Sequence, residues 1–151
     1  NPHYVGGSML FVGLLFLLGE WIYKKRDLNL KEVNQPKALM IGIAQAVALI
    51  PGVSRSGATI VSGLILGVER SFAARFSFLL GMPAILGAGI LTWAAPSTNS
   101  LPLEFLPAFI GFSASFLSSL LAITFLMRFL KKHTLAVFAL YRITLGILVF
   151  F

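Results

Sequence analysis

The residues best able to do chemistry lie in one decapeptide, Pro51-Gly52-Val53-Ser54-Arg55-Ser56-Gly57-Ala58-Thr59-Ile60, where an arginine and hydroxyls interrupt an otherwise hydrophobic region. Arginine presents a planar fork matched to phosphate oxygens and stays charged at any relevant pH. Ser54, Ser56 and Thr59 add hydroxyl donors beside it. Gly52 and Gly57 supply turn freedom, and Pro51 removes one N–H that would need an acceptor. With Ser56 as N-cap, the following helix turns the N–H groups of Gly57, Ala58 and Thr59 back onto the loop, and such an end attracts anions. The chemistry this suits is phosphate binding. The alternative is that Arg55 pairs with a carboxylate or with carbonyls and only holds the loop shut.

The flanking elements must position that loop. Residues 36–50 before it and 58–67 after it are mostly apolar, and each is shorter than the ~20 residues of a straight bilayer span. Two half-length helices meeting at a polar loop imply a re-entrant hairpin over 36–67. An arginine at the bilayer centre costs about 2.5–3.5 kcal/mol on insertion scales, so Arg55 needs a partner or a wet cavity. Non-helical backbone at that depth is tolerated only inside protein or against water.

Composition supports a membrane setting. The 151 residues are 58% hydrophobic and 11% charged, against about 25% charged in a soluble domain, and mean hydropathy is +0.92. The net charge of +7 falls mainly in short basic clusters between apolar runs, the pattern of cytoplasmic membrane loops. Nucleic-acid binding, which calls for a basic face on a soluble fold, is thereby excluded as the reading. There is no cysteine, His3 and His133 lie at boundaries, and the five acids are far in sequence from the loop. No metal cluster or acid–base dyad is visible in this chain. It begins Asn1-Pro2-His3 without a signal-peptide pattern, so a longer parent protein is expected.

In chain order, residues 4–23 read as a spanning helix closed by Trp21, Tyr23 and the triplet Lys24-Lys25-Arg26. Glu20, near its last turn, reads as a charge snorkelling to the interface. Pro36 opens the first half-helix, in which Gln45 is the strongly polar interior residue. Gly63 and Gly67 of the second have small-xxx-small spacing for close packing. Residues 72–93, with Pro83 as an expected kink, 105–127 and 134–151 read as further spans. If the hairpin returns to its starting side, the basic boundaries at 24–37, 69–75 and 128–132 all face the cytoplasm, and the base-free 96–102 loop faces out. The expected fold is therefore all-α integral membrane, a polytopic helical bundle of four spans plus one re-entrant helix-loop-helix hairpin.

The run from Gln45 to Ile60, with its PGVSRSGAT core, resembles the second signature of the undecaprenyl-diphosphate phosphatases, the BacA/UppP bacitracin-resistance family. Ala74-Arg75-Phe76-Ser77-Phe78-Leu79-Leu80-Gly81-Met82-Pro83 and Tyr141-Arg142-Ile143 are similar to further family features. The resemblance implies a bacterial plasma-membrane, multi-pass hydrolase that converts undecaprenyl diphosphate to undecaprenyl phosphate, recycling the lipid carrier of cell-wall synthesis and conferring bacitracin resistance. It implies an inverted-repeat fold, with 4–23 as the last helix of the first repeat and 36–151 as the whole second repeat. The family's acidic E-x-x-x-E segment and its P-V-S-S-T-G-H loop are absent from this chain.

By that resemblance Arg55, Ser54 and Thr59 are the catalytic candidates, and Arg55, Ser54, Ser56, Gly57, Thr59 and Gln45 the phosphate-binding ones. Gln45 stands roughly where internal symmetry puts a family glutamate; an amide there orients a phosphate or water but cannot act as a base. A divalent cation, Mg or Ca, is implied, with ligands from the missing first repeat. Implied partners are a polyprenyl diphosphate lipid, the membrane, that N-terminal repeat and a homo-oligomer. The fragment alone is expected to be inactive. A lipid or anion transporter, which also places broken helices at mid-membrane, is the rival reading.

Overall fold

Long apolar runs can satisfy their backbone in lipid only by coiling into helices, and this chain does so almost throughout. The computed structural model describes residues 2–26, 29–50, 53–95 and 105–150. The helices are α1 (Pro2–Arg26), α2 (Gln35–Val47), α3 (Arg55–Ile65), α4 (Arg70–Ala94), α5 (Phe105–Leu130) and α6 (Ala136–Phe150). Together they make an all-α, multi-pass membrane protein. Three of them, α1, α4 and α5, are long and apolar enough to cross a bilayer. The expected fourth span is shorter than anticipated, because α6 begins only at Ala136 and has 15 residues. Pro83 sits inside α4 without ending it. The 96–102 loop, Pro51 and Gly52 lie outside the described residues.

The two half-helices form with shifted ends. Pro36 occupies the first turn of α2, and the Asn34 side chain caps it by accepting from Lys37 N–H. The helix stops at Val47 rather than running to 50, because the next N–H groups bond three residues back: Ala48 to Gln45, Leu49 to Ala46, Ile50 to Val47. Helix α3 ends in a Schellman motif, with Val68 N–H on the Gly63 carbonyl and Gly67 N–H on the Leu64 carbonyl, each at 2.9 Å. Gly67 has φ 80, a backbone that L side chains adopt at a cost. Gly63 and Gly67 therefore do separate jobs. Gly63 passes Ala73 of α4, whose Cβ would lie 2.9 Å from an added one, while Gly67 turns the chain.

One end of the molecule collects several chain ends. Leu30 N–H bonds the Gly67 carbonyl at 3.1 Å and Glu69 N–H bonds the Leu30 carbonyl at 2.9 Å, tying the segment before α2 to the turn after α3. Arg26 Nη1 donates to the Ile65 carbonyl at 2.9 Å, so the basic end of α1 caps the C-terminus of α3. Glu20 accepts from Arg70 at the start of α4 and from Leu135 N–H just before α6. Glu20 is thus not a snorkelling charge: it is 5% exposed and joins three elements.

Glycines set the helix spacing. Gly6 lies against Gly146 and Phe150, and Gly13 against Ala139 and Ile143, so α1 and α6 run antiparallel with close backbones. Phe16 meets Gly57 and Gly19 meets Val61, so α1 and α3 run parallel. Six of the eleven α3 residues are buried. At about 1.5 Å per residue, Gly81, which faces Arg55, is about 16 Å along α4 from Arg70. The N-terminus of α3 therefore sits partway along the two long helices α1 and α4.

Candidate functional site

The site is built on the first turn of α3. Ser54, with extended backbone at φ −73 and ψ 120, is its N-cap, and its Oγ accepts from Gly57 N–H at 3.1 Å. The cap is thus Ser54 and not Ser56. Ala58 N–H already bonds the Ser54 carbonyl at 2.9 Å, so neither it nor Gly57 N–H is open to an anion as expected. The N–H groups without an intrahelical acceptor belong one step earlier, to Arg55 and Ser56. Gly57 is small for a second reason, since a Cβ there would lie 2.9 Å from the Phe16 ring.

Thr59 is 1% exposed. Its hydroxyl donates to the Arg55 carbonyl at 2.9 Å or the Ser56 carbonyl at 3.1 Å, and lies 2.5 Å from Ser77 Oγ on α4. It braces the turn that carries the arginine. Ser77, part of the conspicuous Ala74–Pro83 run but assigned no role from sequence, lines a cavity of about 350 Å³ with Arg55, Ser56, Phe78, Gly81 and Ile85. Hydroxyl pairing between α3 and α4 could be suspected from a serine in an apolar span, but no local spacing predicts its partner.

Arg55 is half-buried, and its guanidinium has no hydrogen-bond or ion-pair partner among the described residues. The residues that line its cavity, Ser56, Ser77, Phe78, Gly81 and Ile85, include no carboxylate, and Glu20 pairs with Arg70 at the other end of the helices. This counts against Arg55 as a structural pin. Across the same turn, Ser54 and Ser56, with hydroxyls 3.4 Å apart, line a second cavity of about 210 Å³ that also meets Arg142 and Tyr141. Gln45 lines neither cavity, and its Oε1 is buried without a hydrogen-bond partner among the described residues.

A guanidinium, hydroxyls and first-turn N–H groups are all donors. Such a set suits an anion better than a divalent cation, and among the described residues no three His, Asp or Glu side chains gather to hold a metal. Fold and site thus define a polytopic helical membrane protein with an arginine- and hydroxyl-lined pocket at a helix N-terminus. The chain belongs to the bacitracin resistance protein BacA family, whose sequence profile matches residues 1–148. It is 43% identical to undecaprenyl-diphosphatase 2 of Shewanella oneidensis, over 97% of this chain and 56% of that protein. It is 41% identical to an undecaprenyl-diphosphatase of Sulfurihydrogenibium, over 98% and 60%, and 44% identical to one of Thermomicrobium roseum, over 93% and 51%. The chain spans about half the length of the curated relatives it matches.

Proposed function

We propose that this chain carries the phosphate-binding half of an enzyme that hydrolyses undecaprenyl diphosphate to undecaprenyl phosphate and inorganic phosphate in the bacterial plasma membrane. The observation that carries the reading is the uncommitted Arg55 guanidinium, held partway along α1 and α4 beside the open end of α3. The names of the relatives supply the substrate, and they favour hydrolysis over the transporter reading.

In this reading water attacks the terminal phosphorus, the bond to the bridging oxygen breaks, and the lipid keeps one phosphate. Catalysis of such a step is largely electrostatic. Arg55 meets the terminal phosphoryl oxygens bidentately and neutralises charge that grows in the transition state. Ser54 Oγ already accepts from Gly57 N–H and so keeps its own proton to donate, while Ser56 faces both cavities. Thr59 contributes by fixing the Arg55 carbonyl. The carboxylates and divalent cation implied by the resemblance belong in this reading to the remainder of a full-length protein, and no step here depends on a metal.

The same reading makes 36–67 a re-entrant hairpin within the second of two inverted repeats. It is supported by the Leu30 bonds to Gly67 and Glu69, which bring the entry and exit of the hairpin to the end where Arg26, Lys31 and Lys131 also lie.

The test is a chimera in which this chain replaces the matching segment of the Shewanella oneidensis relative, assayed in detergent for phosphate released from undecaprenyl diphosphate. Release should be robust in the chimera and fall on the order of 10²–10³ with Arg55→Ala. A folded chimera that releases no phosphate, or an Arg55→Ala protein of undiminished rate, would overturn the reading.

A further inference from the structure

A further cavity lies away from Arg55, at the end of the molecule where α1 ends, α4 begins and α5 ends. It measures about 510 Å³ and is lined by Tyr23, Asn29, Lys31, Glu69, Arg70 and Lys131, with Leu130 at its base. Its polar groups are unevenly committed. Arg70 uses Nε and Nη2 on Glu20, keeps Nη1, and lies over the Tyr23 ring at 4.5 Å. The Tyr23 hydroxyl donates to Asn29 Oδ1, which leaves the Asn29 amide NH₂ to donate. Glu69 accepts from the Ser71 hydroxyl at 2.5 Å. Lys31 and Lys131 are exposed and have no hydrogen-bond or ion-pair partner among the described residues. Two free ammonium groups, a guanidinium nitrogen and an amide thus outweigh one engaged carboxylate.

We propose that this cleft binds the phosphodiester headgroup of an anionic phospholipid. Donors facing a cleft suit a phosphate oxygen, and basic pockets between membrane helices on the positive side bind such headgroups. Two features select a lipid over a free anion. Helix α5 ends at Leu130, just before Lys131, with only Leu130 buried, and Phe125 in its last turns is 65% exposed, a surface for acyl chains. Trp21 is exposed on the last turns of α1 with Lys25 Nζ 5.1 Å from its ring centre, the aromatic and basic pairing of a bilayer interface at this level. The site is independent of the phosphatase reading, since it shares no residue with the Arg55 cavity.

The experiment is native mass spectrometry of the protein released from vesicles of mixed phosphatidylglycerol and phosphatidylcholine, with a Lys31→Gln/Lys131→Gln variant. A Lys24→Gln/Lys37→Gln variant removes the same charge outside the cleft. Retained phosphatidylglycerol should fall about fivefold per cleft lysine, and the control pair should retain it as the unmodified protein does. Lys31→Arg/Lys131→Arg should restore retention, which separates lost binding from lost folding. Equal loss in both Gln pairs would reduce the effect to diffuse surface charge and overturn the site, as would no loss in the cleft pair. Release of the lipid by millimolar inorganic phosphate would replace the headgroup with a free-anion site.

Discussion

The Glu20 carboxylate and the Arg70 guanidinium, fifty positions apart, meet through three contacts, Nε to Oε1 at 2.8 Å, Nε to Oε2 at 3.1 Å and Nη2 to Oε2 at 2.6 Å. Glu20 Oε1 also accepts from Leu135 N–H at 2.8 Å, so one carboxylate joins the end of α1, the start of α4 and the entry to α6. The pair pins the basic end together and lies away from the Arg55 cavity.

Removing one partner of a buried pair strands the other charge, which costs about 3–5 kcal/mol. Arg70 is partly exposed and keeps the Tyr23 ring, so Glu20→Ala is expected at the low end of that range. Glu20→Gln, which can still accept from Leu135 N–H, should cost less. Melting in detergent measures both, and a Glu20→Ala protein as stable as the parent would remove the pin.

Glycine substitutions should sort by what a Cβ would meet. At Gly6 the nearest atoms are backbone, Phe150 N at 2.9 Å and the Gly146 carbonyl oxygen at 3.0 Å, and neither can swing away. Gly6→Ala should force α1 from α6 and destabilise by about 1–3 kcal/mol. Gly87→Ala meets nothing within 4 Å and should be neutral or slightly stabilising through helix propensity. Equal melting temperatures for the two variants would contradict the close α1–α6 approach.

Much of this was legible in the sequence for definite reasons. Apolar length marked α1, α4 and α5, and Pro51 with Gly52 and Gly57 announced a broken helix around Arg55. What was not legible depends on partners distant along the chain. Glu20 reads as an interfacial charge until Arg70 is brought beside it. Ser56 reads as the cap until Ser54 is seen to have extended backbone and to accept from Gly57 N–H. Gly63 and Gly67 look like one motif, although one faces Ala73 and the other has positive φ. Thr59 reads as a phosphate ligand, yet Ser77, eighteen residues on, claims its hydroxyl.

Labelling can test the placement of the basic end. Cysteines at Lys31 and Lys131 line one cleft and should react with an impermeant maleimide from the same face of the membrane. The re-entrant hairpin requires this outcome. Reaction from opposite faces would break both the cleft and the hairpin.

Thr59 and Arg55 can be separated because they stand in different relations to the proposed phosphate. Thr59→Val keeps the shape but removes the hydroxyl bonds to the Arg55 and Ser56 carbonyls and leaves Ser77 Oγ without that partner. Losing a buried hydrogen bond of this kind costs about 1–3 kcal/mol, so the melting temperature should drop. The Arg55 side chain has no such bonds to lose among the described residues, and Arg55→Lys should leave melting nearly unchanged while removing the planar fork. In the hydrolysing chimera the two variants should then part company. Arg55→Lys should lower turnover severely at normal stability, whereas Thr59→Val should lower stability more than it lowers the turnover of the folded fraction. Both quantities are to be measured on the same purified samples. Near-normal turnover of Arg55→Lys would take the arginine out of the mechanism, and a Thr59→Val protein of normal stability but abolished turnover would move Thr59 from bracing the turn to touching the phosphate.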